Sequence, residues 1–246
     1  KDVKLTDVTE DYCCLGLFGP KSREMISSIS SDDFSNENFK FATAKLVKIN
    51  NVEVWAQRIS YVGELGFELY VKKENALKLF DILINKGKTY KISLCGMHAM
   101  DIMRMESGYL HWGHDISPEE NQFEAGLNFA VSFKKNINFI GRAALEKKRG
   151  KKDHKKFKML ILNHSKEGAP LLLHDEPIYL KDKIVGRTTS GCYSFNYNKN
   201  LAFGYINSGL TSDQIDKEAF EIEVEKKKYK ASVITRPLND KKLSSL

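Results

Sequence analysis

Six short segments between Phe157 and Ile234 constrain the fold more than any other feature of this sequence: FKMLIL, PIYL, KIVGRTTS, NLAFGYI, FEIEV and YKASVI. Each has the β-branched and aromatic character of a strand. Turn-forming residues such as Asp182-Lys183 and Asn198 to Asn200 separate them. They predict a small all-β domain.

The preceding part is mixed. Residues 43–72 read as strands. Residues 74–86 read as a helix whose apolar stripe is Leu77, Phe80 and Ile84 with Leu79 and Leu83, and Gly87 is a natural terminator. A second helix fits GMHAMDIMRMESG (96–108), FEAGLNFAVSF (123–133) returns to strand, and IGRAALEKKRG (140–150) reads as a short helix. This order is α+β rather than a dinucleotide-binding alternation of strand and helix. Composition shifts across the basic run KKRGKKDHKK (147–156), which is expected to be a solvated linker. Domains are therefore expected at 1–150 and 151–246.

A chain of 246 residues, 41% hydrophobic and 11% aromatic, has enough apolar material for ordinary buried cores. No apolar run reaches membrane-spanning length, and the polar start KDVKLTDVTEDY lacks a signal peptide's hydrophobic segment. A cytoplasmic protein with no membrane partner is expected. The net charge of +7 invites a polyanion partner, but it owes much to lysine runs and no RNP-like motif accompanies it, so a nucleic-acid partner is not favoured. Cys13, Cys14, Cys95 and Cys192 form no CxxC pair, so reduced thiols are expected.

GxSxG, Walker A and GxGxxG fingerprints are all absent. That excludes triad hydrolases and P-loop enzymes, and it argues against FAD or NAD held by this chain itself. His111, His114 and Asp115 in YLHWGHDISPEEN lack the HExxH helical spacing and further ligands, so no metal is expected.

In RISYVGELGFELY (58–70), Gly63 and Gly66 are expected to supply positive-φ positions in a tight connection between strands. Alternation then sends Phe67, Leu69 and Val71 to one face and Glu68, Tyr70 and Lys72 to the other. Glu68 is either a solvated strand residue or a ligand contact. Arg104, three residues after Asp101 on the second helix, is suited either to an ion pair or to a ligand carboxylate.

Together, RISYVGELGFELY, GMHAMDIMRMESGYLHWGHDI, NQFEAGLNFAV, FIGRAAL and VGRTTSGCYSFNYNKNLAFGYI resemble the folate-binding aminomethyltransferase family, the glycine cleavage T-protein and its relatives. The likeness is strongest to the C-terminal folate regions of dimethylglycine and sarcosine dehydrogenases. Leu65 stands where T-proteins carry Asp, and Met100 where they carry the first Arg of A-R-D-S-L-R-L-E. The resemblance implies an incomplete α+β folate-binding layer followed by a small C-terminal all-β, barrel-like domain. It implies tetrahydrofolate as cofactor, with Glu68 at the pterin and Tyr61 as an aromatic beside it; Glu64 is expected to contact the cofactor or brace the turn, and Arg104, by its guanidinium chemistry, is a further candidate contact. The catalytic acid is not identified: the family's lies in an earlier segment, and neither Asp2 nor Asp7 matches its motif.

The function implied is the tetrahydrofolate-binding portion of a one-carbon-transferring enzyme. It would capture the methyl-derived carbon of dimethylglycine or sarcosine as 5,10-methylenetetrahydrofolate. FAD would then belong to an upstream flavin domain or a companion subunit, and the chain alone is expected to lack demethylating activity. The alternatives are a T-protein-like aminomethyltransferase served by a lipoyl carrier, and a non-catalytic folate-binding or RNA-associated relative.

Overall fold

A computed structural model describes residues 2–151, 154–164, 166–207 and 209–246. Of the basic run at 147–156, Lys152 and Asp153 lie outside the described residues. The first elements are β1 (Tyr12–Phe18), α1 (Ser22–Ser27), β2 (Ala44–Ile49), β3 (Val52–Gln57), β4 (Gly66–Lys72), α2 (Ala76–Gly87) and α3 (Met97–Glu106). Then follow α4 (Arg142–Lys148), β5 (Lys156–Leu162), β6 (Pro177–Leu180), β7 (Lys183–Ser194), β8 (Lys199–Ile206), α5 (Ser212–Ile215), β9 (Ala219–Val224) and β10 (Lys227–Ile234). The chain divides into two compact units. One runs to Asp101 and includes Lys241–Leu246; the other is Ile102–Asp240 and contains the basic run.

In the first unit an antiparallel sheet has the order β1-β4-β3-β2. Its strands alternate as the sequence requires, so Leu17, Val47, Val54, Phe67, Leu69 and Val71 all enter one core. Met25 and Ile26 of α1 and Leu79 and Leu83 of α2 close that core. Phe34 meets Phe67 edge-on, with ring centroids 5.2 Å apart. Leu77 departs from the expected stripe and is 72% exposed. Two residues along a helix are about 200° of rotation, so a helix that buries Leu79 and Leu83 turns Leu77 outward.

Gly63 has the expected positive φ, +70°. Gly66 does not, and the expectation for it is corrected: it is needed for space. A Cβ there would stand 2.2 Å from the Phe18 ring and 2.6 Å from the Leu17 carbonyl oxygen.

The second unit contains a closed antiparallel barrel of order β10-β5-β8-β7-β6-β9. All six strand segments expected after Phe157 are present. Leu160, Leu162, Ile178, Ala202, Ile206, Phe220 and Ile222 fill it, and burying each large aliphatic or aromatic side chain stabilises by about 1.5–3 kcal/mol. Two-residue turns at Lys181-Asp182 and Glu225-Lys226 have both residues at positive φ, as does Asn50-Asn51 between β2 and β3. This left-handed turn matches the twist of the strands it joins.

The strand expected at residues 123–133 is not formed: the segment is a series of turns with a short 3-10 helix at Asn128–Ala130. Local polar chemistry overrides the alternation. The Glu124 carboxylate accepts from the Asn121 backbone N–H at 2.9 Å and its amide at 2.6 Å, while Asn121 Oδ1 accepts from the Phe123 N–H at 3.0 Å. Gly126, at φ +73°, then reverses the chain.

Among the described residues no helix is long and apolar enough to cross a membrane. The four cysteines are free thiols.

Candidate functional site

Strand register in the first unit arranges the face of the sheet opposite the core into rows. One row runs Ala44, Gln57, Glu68, Gly16 across β2, β3, β4 and β1. The neighbouring row runs Leu46, Trp55, Tyr70, Cys14. Glu68 thus leaves β4 away from the core and is half-buried. The Tyr70 hydroxyl donates to Glu68 Oε2 at 2.8 Å. That bond, followed by burial, raises the Tyr70 phenol above its ordinary pKa and keeps it a donor. Cys14 is exposed; partial loss of hydration against the sheet raises its thiol pKa, and the negative charge of Glu68 adds to the effect.

Gly16 places no side chain beside Glu68. The Phe18 ring lies there instead, within 2.5 Å of where a Gly16 Cβ would be, and it also covers Gly66. The carboxylate therefore stands between two aromatic borders, Trp55 with Tyr70 in one direction and Phe18 in the other. Trp55 is 44% exposed.

Tyr61 and Glu64 belong to the connection between β3 and β4, and both are half-buried. Glu64 accepts a hydrogen bond from Lys241, which ties this connection to the C-terminal segment of the same unit. Nearby, the buried Arg58 guanidinium donates to the Phe39 carbonyl at 2.7 Å and the Leu246 main-chain oxygen at 2.8 Å. Ser22 and the Gly19 N–H both donate to the Leu65 carbonyl. The loop carrying Tyr61 is therefore pinned along its length.

Arg104 lies in the second unit, where its side chain is 1% exposed and forms an ion pair with Asp115. It also donates to the Tyr109 carbonyl at 3.1 Å and to Ser190 Oγ at 2.7 Å. Asp115 accepts further bonds from the His111 N–H at 2.9 Å, Thr189 at 2.5 Å and Ser190 at 2.8 Å. Tyr205 donates to the Asp115 carbonyl at 2.8 Å. The HxxHD stretch is thus folded around a buried carboxylate, while the His111 and His114 rings lie 4.5 Å apart. Glu106, two residues after Arg104, accepts from Ser194 at 2.6 Å and Asn196 at 2.7 Å.

Tyr61 and Glu64 lie on the connection that leads into β4, the strand that carries Glu68, and strand register places Tyr70, Gln57, Cys14 and the Phe18 ring around Glu68. Tyr70 was legible in the alternation of β4. The others arrive by strand pairing, for which the sequence carries no local signal.

The GCVT N-terminal domain matches residues 1–135. The chain belongs to the glycine cleavage T-protein family. The family's C-terminal barrel domain matches residues 155–240, which contain the closed barrel. Human mitochondrial dimethylglycine dehydrogenase is 35% identical over 240 residues, covering 96% of this chain and 27% of its own length. An aminomethyltransferase of Listeria welshimeri is 32% identical over 236 residues, covering 96% of this chain and 62% of its own. The chain thus spans about a quarter of the dehydrogenase's length and under two thirds of the transferase's. In fold it matches the crystal structure of glycine cleavage system aminomethyltransferase T from Bartonella henselae. That match has a TM-score of 0.78 at 21% identity, over 92% of this chain and 59% of the other.

Proposed function

We propose that this chain is the tetrahydrofolate-binding part of a one-carbon-transferring enzyme, and that Glu68 holds the pteridine ring. The observation that supports the reading is the placement of Glu68: a half-buried carboxylate facing away from the core, fixed by Tyr70 and bordered by aromatic side chains. A reduced pteridine offers an amino group and a ring N–H side by side. A carboxylate with two acceptor oxygens takes both, and the Tyr70 bond uses one lone pair of one oxygen. Tyr61 supplies ring area for stacking beside the pteridine. Glu64, paired with Lys241, holds the connection in place. Arg104 is engaged with Asp115 and enters this reading as a residue of the fold.

Tetrahydrofolate bound here supplies nitrogen nucleophiles that accept a one-carbon unit at the formaldehyde oxidation level, giving 5,10-methylenetetrahydrofolate. The protein's part is to fix the ring so that those nitrogens meet the incoming carbon, a proximity effect. We propose dimethylglycine or sarcosine as the source of that carbon, with the flavin on a separate domain or subunit. The relation to dimethylglycine dehydrogenase supports this choice.

Calorimetric titration of tetrahydrofolate tests the reading. Glu68→Gln replaces an acceptor oxygen by a donor that faces another donor. Affinity is expected to fall about thirty-fold to several hundred-fold, from a mismatch of about 2–4 kcal/mol. Equal affinity in wild type and variant returns Glu68 to a solvated strand residue.

A further inference from the structure

Strand pairing sets Gln57 of β3 directly opposite Glu68. Directly paired residues of adjacent strands project from the same face with Cβ atoms about 5 Å apart. The two side chains have the same length, so a carboxylate and a carboxamide stand shoulder to shoulder on the face away from the core, both half-buried. Their row ends in small residues, Ala44 on one side and Gly16 on the other. The pair is thus the polar centre of its row, next to the apolar row of Leu46 and Trp55.

A carboxylate alone matches only part of a pteridine edge. Beyond the amino group and the ring N–H, the same edge continues to the C4 carbonyl, whose oxygen projects outward and accepts hydrogen bonds. A second acceptor beside Glu68 would repel it; an amide N–H complements it. Resting on the reading of Glu68 as the pteridine contact, we infer that Gln57 is a specificity-determining residue of the same site, donating its amide hydrogen to the C4 carbonyl. The pair then presents acceptor, acceptor, donor to an edge that presents donor, donor, acceptor. A ring lacking the carbonyl beside the N–H fails against this pattern, because the amide loses its partner.

The other charged and titratable groups of this face are Tyr70 and Cys14 in the next row, and Lys48, Glu53, Lys72 and Tyr12 further along their strands. None of them lies in the row of Gln57 and Glu68.

The test uses the purified chain, with 5-formyltetrahydrofolate as a stable 4-oxo probe. Gln57→Met keeps the shape and removes the donor; it is expected to weaken binding about tenfold at every pH. Gln57→Glu reverses the polarity and is expected to weaken binding more than about tenfold near pH 8. Two adjacent carboxyls share a proton because like charges raise one pKa. Lowering the pH toward about 5.5 therefore turns the introduced carboxyl into a donor and restores most of the affinity. Wild type has no such recovery, and a misfolded variant does not regain affinity with acid. Binding by both Gln57 variants within about twofold of wild type, or a Gln57→Glu variant without acid recovery, overturns the inference. Loss of binding in Glu68→Gln alongside unaffected Gln57 variants rejects Gln57 alone. A wild type that fails to bind, or an unaffected Glu68→Gln, rejects the folate reading and this inference with it.

Discussion

Tyr70 donates its hydroxyl to Glu68 Oε2 at 2.8 Å from two residues further along the same strand. Alternation puts the two on one face, and the bond selects the carboxylate's orientation. Tyr70→Phe keeps the ring and removes that donor. Folate affinity is expected to fall about three- to ten-fold, the equivalent of one hydrogen bond of about 0.5–1.5 kcal/mol. Calorimetry measures it, and an unchanged affinity would show that the carboxylate holds its orientation without the phenol.

The same carboxylate acts on Cys14, which is paired with Tyr70 across β1 and β4. Partial desolvation and the Glu68 charge both raise the thiol pKa. A raised pKa means less thiolate at any pH through neutrality, and the thiolate is the reactive species. Alkylation of Cys14 by iodoacetamide should therefore be slow near neutral pH and accelerate only above the usual thiol range of about 8.5. Glu68→Gln removes the charge but not the partial desolvation, so the pH–rate curve should shift partway down. Peptide mass spectrometry across pH gives the curve, and coincident curves would refute the coupling.

Arg104 and Asp115 are a buried pair with well-satisfied partners on both sides. Removing one member of such a pair leaves the other charge without compensation, at a cost of about 3–5 kcal/mol. Asp115→Ala and Arg104→Ala should each fall in that range. The carboxylate keeps donors from His111, Thr189 and Ser190, and the guanidinium keeps the Tyr109 carbonyl, Ser190 and the Phe203 ring. The double variant Arg104→Ala, Asp115→Ala should lose less than the sum of its two single variants. Urea unfolding of the four proteins measures this, and strict additivity would show that the two side chains do not interact.

The six barrel strands were legible because each is short, β-branched and bounded by turns. The core face of β4 was legible because strand alternation has a period of two, and Phe67, Leu69 and Val71 are buried as that period requires. Residues 123–133 misled for the same reason: their apolar pattern is strand-like, but the Asn121-to-Glu124 spacing is a turn signature that outranks it. The turn at Lys181-Asp182 was signalled through Asp182, one residue late, whereas the turn at Glu225-Lys226 left little trace, because Glu and Lys are poor left-handed residues that strand twist forces into place. At the candidate site, Glu68 was reached through its motif and Tyr70 through alternation. Gln57 and Phe18 depend on register between strands far apart in sequence, which no local pattern records.

Phe18 offers the last test, because the two glycines beneath its ring differ in what surrounds them. The three atoms nearest to a Cβ on Gly16 would all belong to the Phe18 side chain, the closest at 2.5 Å. A Cβ on Gly66 would meet the Phe18 ring at 2.2 Å and also the Leu17 carbonyl oxygen at 2.6 Å. A side chain can swing aside; a carbonyl held within a strand cannot without disturbing the sheet. Gly16→Ala and Gly66→Ala should each destabilise by about 1–3 kcal/mol, the usual cost of overpacking. Adding Phe18→Ala should then rescue the Gly16 variant, relative to Phe18→Ala alone, and leave most of the Gly66 penalty in place. Thermal unfolding of the six proteins separates the two cases. Equal rescue at both positions would mean that the Leu17 carbonyl yields as readily as a side chain, and that β4 can move against β1 at the residue two positions before Glu68.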